Sequence, residues 1–336
     1  MKKSLEQLLE NNSDFKKLNP SLDRIREALK LFKNPHDDYQ SIIVAGTNGK
    51  GSVVSFLEQM ALEYTDFKVG KFTSPHLVRV AERIQVNGKE INDGVLAEIL
   101  QEIQENCDFE LSYFEQLSLA AFIYFSQEKV DIAILEVGMG GRWDCTNVVS
   151  DDKRLATVIT SISLDHMEFL GDSVEKIRAE KEAIKRDSVP HFDFKDYDLD
   201  GSVQDRNYAL AKEVFEKILM KDIVDIDKQK IFERFESSYQ ARFQYFPEYN
   251  LLLDSAHNPE AAEALVSYLV ENFEGESVEH GIDLHLAFLD KDYESFIESF
   301  VEKLQIASIS LYELKDKRSF DRDSALEKLR IKYPDL

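Results

Sequence analysis

The residues best suited to chemistry lie in the run Gly46-Thr47-Asn48-Gly49-Lys50-Gly51-Ser52. Glycines let successive backbone N–H groups converge on an anion, and a helix starting there adds positive potential. Lys50 supplies a point charge for phosphate oxygens, and the Ser52 hydroxyl can ligate Mg²⁺. One extra glycine between Lys50 and Ser52 departs from the strict G-x-x-x-x-G-K-[ST] spacing. A glycine-rich turn that binds nothing is the alternative, but the strand–loop–helix context favours a nucleoside triphosphate. Two more groups belong with this loop. Glu136 ends the apolar run 131–137, and His166 follows the run 155–161. Ligands of open parallel sheets lie beyond the carboxyl ends of the strands, so both can share a cleft with Ser52 and coordinate a divalent cation. Taken singly, Glu136 could cap a helix and His166 could be a structural histidine. Glu180-Lys181-Glu182 reads equally well as a solvated helix face. Asp254-Ser255-Ala256-His257-Asn258-Pro259 is a weak motif by itself, placed where a strand hands over to a helix.

Each of these groups needs an element to hold it. The run 41–45 reads as a buried strand and 52–62 as a helix, so the phosphate loop joins them. Further strands fit 131–137 and 155–161, and helices fit 4–10, 22–32, 93–105, 113–127 and 202–221. Residues 68–86 look loop-rich, with Val86-Asn87-Gly88-Lys89 as a hairpin turn. The stretch 187–201 has no clear period, and the last strands of the first domain are expected to be missing. A second α/β set follows, with strands over 249–254, 283–289 and 307–314 and helices over 259–273 and 292–304. Near-continuous apolar strands alternating with amphipathic helices predict an α/β fold. The expectation is a P-loop-type, mostly parallel sheet with helices on both faces, then a smaller Rossmann-like α/β C-terminal domain. The boundary is placed between 1–238 and 239–336.

Composition narrows the function classes. The chain has 336 residues, 43% of them apolar and 11% aromatic, which suits two packed domains and argues against disorder. No apolar stretch approaches the roughly 20 residues of a membrane span. The N-terminus turns acidic too early for a secretory signal, and Cys107 and Cys145 have neither metal-like spacing nor a disulfide framework. A cytoplasmic protein is expected. A net charge of −23, from 64 acidic against 41 basic residues, repels polyanions and excludes nucleic acid as a partner. Any phosphate ligand therefore needs locally placed positive charge and metal.

Taken in order, these segments resemble the folylpolyglutamate synthase/dihydrofolate synthase family of ATP-dependent Mur-ligase-type amide ligases. The resemblance rests on Gly46 to Ser52, Thr73-Ser74-Pro75-His76-Leu77, Glu82-Arg83-Ile84, Phe114-Glu115, Leu135-Glu136-Val137-Gly138, Leu164-Asp165-His166, Glu180-Lys181 and Leu253 to Pro259. It implies an enzyme that joins L-glutamate to dihydropteroate or a reduced folate through an acyl phosphate, with ATP and two Mg²⁺ ions, and a monovalent cation alongside. Thr47, Asn48, Gly49, Lys50, Gly51, Ser52, Asn207, Arg242 and Asp254 would bind ATP. Ser74, Pro75, His76, Phe114 and His257 would face the other substrates. Ser52, Ser74, Glu136, His166 and a carbamylated Lys181 would hold metal, and Lys50, Lys181, His166 and Glu136 would carry the chemistry. Relatives of this kind tend to be monomeric. Two other readings stay open: a nucleotide-binding relative with lost or reduced activity, and a Mur-type cell-wall ligase. Departures from the family pattern motivate the first. Glu182 replaces an alanine after the lysine, Ser255 and Ala241 replace glycines, 186–203 is short, and the usual final strand is expected to be absent.

Overall fold

The computed structural model describes residues 5–9, 21–196, 201–220, 226–238, 241–273, 281–289, 292–314 and 319–334. The chain divides into two compact units, Met1–Tyr239 and Gln240–Leu336.

In the first unit, among the described residues, seven strands form one sheet in the order β4-β3-β2-β5-β1-β6-β7. These are β1 Gln40–Ala45, β2 Val69–Phe72, β3 Ile84–Val86, β4 Lys89–Glu90, β5 Ile132–Glu136, β6 Arg154–Ile159 and β7 His191–Asp193. The five strands from β2 to β7 are parallel, and β3 and β4 add an antiparallel edge. The side chains of β1 show why both faces are covered. Ile43 and Ala45 join a core with Leu29, Leu100 and Phe122, whereas Ile42 and Val44 join one with Phe56, Leu210 and Ile231. The first core packs helices α2 Asp23–Leu31, α4 Asp93–Asn106 and α5 Tyr113–Gln127; the second packs α3 Lys50–Tyr64, α8 Val203–Val214 and α9 Lys228–Ser238. A one-residue slip would exchange the two sets, so burial on both faces pins the register. Helix α1 covers Leu5–Leu9, while Ser4 and Glu10 of the expected helix lie outside the described residues.

Three expectations need correction here. The region 68–86 is not mainly loop, because β2 lies in the middle of the sheet between β5 and β3. Gly70 and Lys71 disguise it, and both have a tertiary reason. The Phe125 ring lies where a Gly70 Cβ would come within 3.0 Å, and Lys71 Nζ pairs with Glu58 Oε2 at 2.5 Å in the interior. The stretch after Lys185 is not without a strand, since β7 pairs in parallel with β6; residues 197–200 lie outside the described ones. The helix expected over 202–221 runs as α8, followed by a π-turn over Phe215–Leu219, and Lys221 lies outside the described residues.

The second unit is a smaller α/β body. Strands β10 Ile282–Ala287 and β11 Ile306–Tyr312 pair in parallel. Helices α10 Pro259–Asn272, α11 Tyr293–Val301 and α12 Arg322–Lys332 pack on them through Val266, Leu284, Phe296, Phe300 and Leu329. The expected strand over 249–254 is shorter, β9 Leu251–Leu253, and pairs antiparallel with β8 Gln244–Phe246. No described helix is long and apolar enough to cross a membrane.

Candidate active site

The phosphate loop leaves β1 through Gly46, at φ +154°, and enters α3 through Gly49, at φ +85°. Both glycines are required by neighbours as well as by torsion. A Cβ on Gly46 would lie 1.7 Å from Thr160 Oγ1, and one on Gly49 would lie 2.7 Å from Asn207 Oδ1. Thr160 follows β6, and its hydroxyl donates to Asn48 O at 2.7 Å. Thr47 N–H donates to Ser161 O at 2.7 Å. The Thr47 hydroxyl accepts from Ser163 N at 3.1 Å and donates to Ser163 O at 3.2 Å. Thr47, expected among the nucleotide contacts, thus fastens the loop to the segment that carries His166. Lys50 Nζ donates to Gly46 O at 3.1 Å and Thr47 O at 3.0 Å, and Gly51 and Ser52 are buried in the first turn of α3.

Lys181 lies on helix α7, Val174–Glu182, and is 4% exposed. Its Nζ donates to Gly46 O at 2.7 Å, the same carbonyl that Lys50 reaches. Burial, then the neighbouring Lys50 charge, pulls this amine down to about 7, against the opposing pull of Asp165 and Asp144. The loop after β5 grips the same turn. Gly141 is pressed against the carbonyls of Glu180 and Lys181, Arg142 N donates to Glu180 O at 3.0 Å, and Arg142 Nε donates to the Glu180 carboxylate at 3.0 Å. Asp144 shapes that loop by accepting from Gly138 N, Met139 N and Thr146; burial raises its carboxyl despite those bonds.

Glu136 ends β5 at 3% exposure, and its Oε2 accepts from Ser74 N at 3.1 Å. Two of the expected metal ligands are therefore brought together by β5 and the loop after β2. His166 has φ +51° and starts the short helix α6, Met167–Leu170; its exposed Nε2 lies 3.7 Å from Asp165 Oδ2. Among the described residues, no three His, Cys, Asp or Glu side chains converge as a ready ligand set. The expected set is instead made of two serines, one carboxylate, one imidazole and a lysine expected to be carbamylated.

On the β2 side, Pro75 is exposed and His76 half-buried. Arg83 Nε donates to His76 Nδ1 at 2.9 Å, and its guanidinium lies 5.4 Å from the Tyr113 ring centre. Burial and then Arg83 lower the His76 pKa. Phe114 packs over Gly138, where a Cβ would come within 2.5 Å of its ring. Asn207 is 2% exposed, and its Oδ1 has no hydrogen-bond partner among the described residues. A buried carboxamide oxygen left in that state fits a ligand donor such as an exocyclic amine.

Arg242, Asp254 and His257 belong to the second unit. Asp254 accepts from Phe243 N at 2.8 Å and Ala256 N at 2.7 Å; burial raises its carboxyl while the Arg242 charge opposes. Exposed His257 places Nδ1 3.0 Å from Ser255 O, and Asn258 caps α10 by accepting from Ala261 N. Ala241 sits at φ +53°, the left-handed region where a glycine is favoured, whereas Ser255 does not. Sequence reasoning passed over Thr160, Asp144 and Asp165 as site-shaping residues. Only Asp165 carried a local signal, beside His166.

Residues 44–192 match the Mur ligase middle domain. The dihydrofolate synthase/folylpolyglutamate synthase of Haemophilus influenzae is 42% identical over 178 residues, 53% of this chain and 40% of that protein. The aligned stretch thus spans less than half of that curated relative. Among solved structures, E. coli FolC in complex with DHPP and ADP superposes with a TM-score of 0.77 at 28% identity, over 96% of this chain and 85% of that one. A bifunctional folylpolyglutamate synthase/dihydrofolate synthase with Mn, AMPPNP and L-glutamate bound gives 0.80 at 27% identity, over 95% and 85%.

Proposed function

We propose that this chain is a member of the folylpolyglutamate synthase/dihydrofolate synthase family, to which it is similar, and an ATP-dependent ligase joining L-glutamate to dihydropteroate or a reduced folate. The observation that carries the reading is the convergence of Lys50 and buried Lys181 on one carbonyl of the phosphate loop. Lys50 suits a phosphate anion, and the enclosed Lys181 amine suits conversion to a metal-binding carbamate. In the reaction, an oxygen of the acceptor carboxylate attacks the γ-phosphorus and ADP leaves. The glutamate amine then attacks the acyl carbon, phosphate departs, and the ammonium proton is lost to solvent. A carboxylate is a poor acylating agent until its oxygen becomes part of a phosphate leaving group. The protein's share is positioning and charge neutralisation.

Lys50 and the loop amides would hold the β- and γ-phosphates, and Asn207 would accept from the base. Ser52, Ser74, Glu136, His166 and Lys181 would hold two Mg²⁺ ions, with a monovalent cation beside them. Bound divalent cations neutralise the phosphates and align the γ-phosphate. Lys181 fits this set only after modification, because an ammonium beside Lys50 and metal is repelled. Its neutral nitrogen attacks CO₂, a proton passes to water, and the carbamate offers anionic ligand oxygens. Arg242 and Asp254 would add nucleotide contacts, and His257 would face the incoming glutamate. Ser74, Pro75, His76 and Phe114 would form the pterin side. Glu182 does not obstruct this reading: its carboxylate pairs with Arg178 at 3.2 Å and Lys185 at 2.9 Å. The protein would work as a cytoplasmic monomer without nucleic-acid partners. Phosphate release from ATP should require both L-glutamate and the pterin acceptor; equal release with neither would overturn the assignment.

A further inference from the structure

Lys181 can serve the site only if α7 holds one rotational setting. With a helix radius near 6 Å including side chains, a turn of about 20° moves a side-chain tip by about 2 Å. That is enough to break the 2.7 Å bond from Lys181 Nζ to Gly46 O. The Arg142 loop holds one side of the helix, and Arg154 and Arg186 hold its C-terminal end through the carbonyls of Ala183, Ile184 and Lys185. The remaining side faces β7.

Asp193 is the last residue of β7, in register with Ile159, the residue before Thr160. Its side chain is 1% exposed, an unusual place for a carboxylate at the edge of a sheet. Arg178 Nη1 donates to its Oδ2 at 2.9 Å, Lys195 N donates to Oδ1 at 3.1 Å, and Lys195 Nζ lies 3.3 Å from Oδ2. His191 Nε2 is 4.0 Å away, with its Nδ1 at 3.0 Å from Thr157 Oγ1. Arg178 lies three residues before Lys181 on α7, the spacing that makes helix neighbours. Its same terminal nitrogen also reaches Glu182, one of the residues that departs from the family pattern. Asp193, Arg178, Glu182 and Lys185 thus form a chain of alternating charge along the helix, anchored at one end in the sheet.

We propose that Asp193 is a positioning residue: acting through Arg178, it sets the rotation of α7 and so seats Lys181 against the phosphate loop. The inference rests on the reading of Lys181 as a site residue. An enclosed carboxylate with a single guanidinium from α7 gives that helix one preferred angle. A surface pair would not, because both partners would be free to swing.

The test is the pH profile of acetic anhydride labelling, read for each lysine by peptide mass spectrometry on the full chain. Lys71, on β2 and equally buried but paired with Glu58 of α3, is the internal control. In Asp193→Asn the labelling midpoint of Lys181 should rise by at least about one unit as its nitrogen leaves the enclosed seat, while that of Lys71 stays put. Arg178→Lys, which keeps a cation opposite Asp193, should hold the Lys181 midpoint near that of the wild type. In the ligase assay Asp193→Asn should lower kcat with the KM for ATP within about twofold, because phosphate-loop contacts persist. An unmoved Lys181 midpoint in folded Asp193→Asn, or equal movement of Lys181 and Lys71, overturns the proposal. Should Asp193→Asn fail to fold, Arg178→Gln asks the same question from the half-exposed partner. A wild type without glutamate- and pterin-dependent turnover would refute the ligase reading, while the labelling profiles would still decide the role of Asp193.

Discussion

Titration of Lys181 is the sharpest consequence of the site. An ordinary lysine near 10.5 is about 0.3% neutral at pH 8, whereas an amine at about 7 is about nine-tenths neutral. The enclosed seat therefore raises the supply of nucleophilic amine roughly 300-fold at that pH. Burial is the larger cause and Lys50 the second, so Lys50→Met should raise the midpoint without restoring that of an exposed lysine. The sign for stability follows from the same shift. Between about 7 and 10.5 the unfolded chain holds a proton that the folded chain lacks, so the Lys181 contribution is unfavourable below 7 and improves as pH rises. Competitive labelling of metal-free protein from pH 5 to 11 measures the midpoint. Carbon-13 NMR under a fixed pressure of labelled CO₂ should then show a carbamate signal, stronger at pH 8 than at pH 6 and missing in Lys181→Ala. A Lys181 midpoint above about 10 would refute the reasoning, because the claimed desolvation would not exist.

Four substitutions extend the account. Lys50→Ala should lower kcat/KM for phosphate release at least about a hundredfold, as expected for losing a charged contact to the transferring group. Lys181→Ala should impair turnover and recover in part with added short carboxylates that stand in for the carbamate; without rescue the carbamate role fails. Gly46→Ala should weaken ATP binding at least about tenfold by calorimetry, since the new Cβ would overlap Thr160 Oγ1. Ala241→Gly should stabilise the second unit by about 1 kcal/mol in urea unfolding, because φ +53° penalises a Cβ; no gain would refute the strain.

Much of the site is legible in the sequence because its signals are local. A glycine-rich run between an apolar strand and a helix needs only neighbouring residues to be recognised, and β1 and α3 bracket it as expected. The apolar runs at 131–137 and 155–161 became β5 and β6, and carry Glu136 and the His166 segment at their carboxyl ends. Lys181 was different. Its own helix made a solvated face equally reasonable, and only the family resemblance singled it out. Strand β2 was missed because Gly70 and Lys71 break a strand pattern, and their partners Phe125 and Glu58 lie on helices α5 and α3, brought there only by the fold.

The sequence by itself determined which backbone can cradle phosphate, because torsional freedom at Gly46 and Gly49 and a helix start are properties of adjacent residues. Tertiary structure alone decided what that cradle rests on. Thr160 under Gly46, Asn207 against Gly49, and Lys181 beneath the same loop come from three distant segments. Their environment, above all the loss of water around Lys181, exists only once the sheet has stacked those segments side by side. Desolvation is a property of packing, and no reading of spacing supplies it.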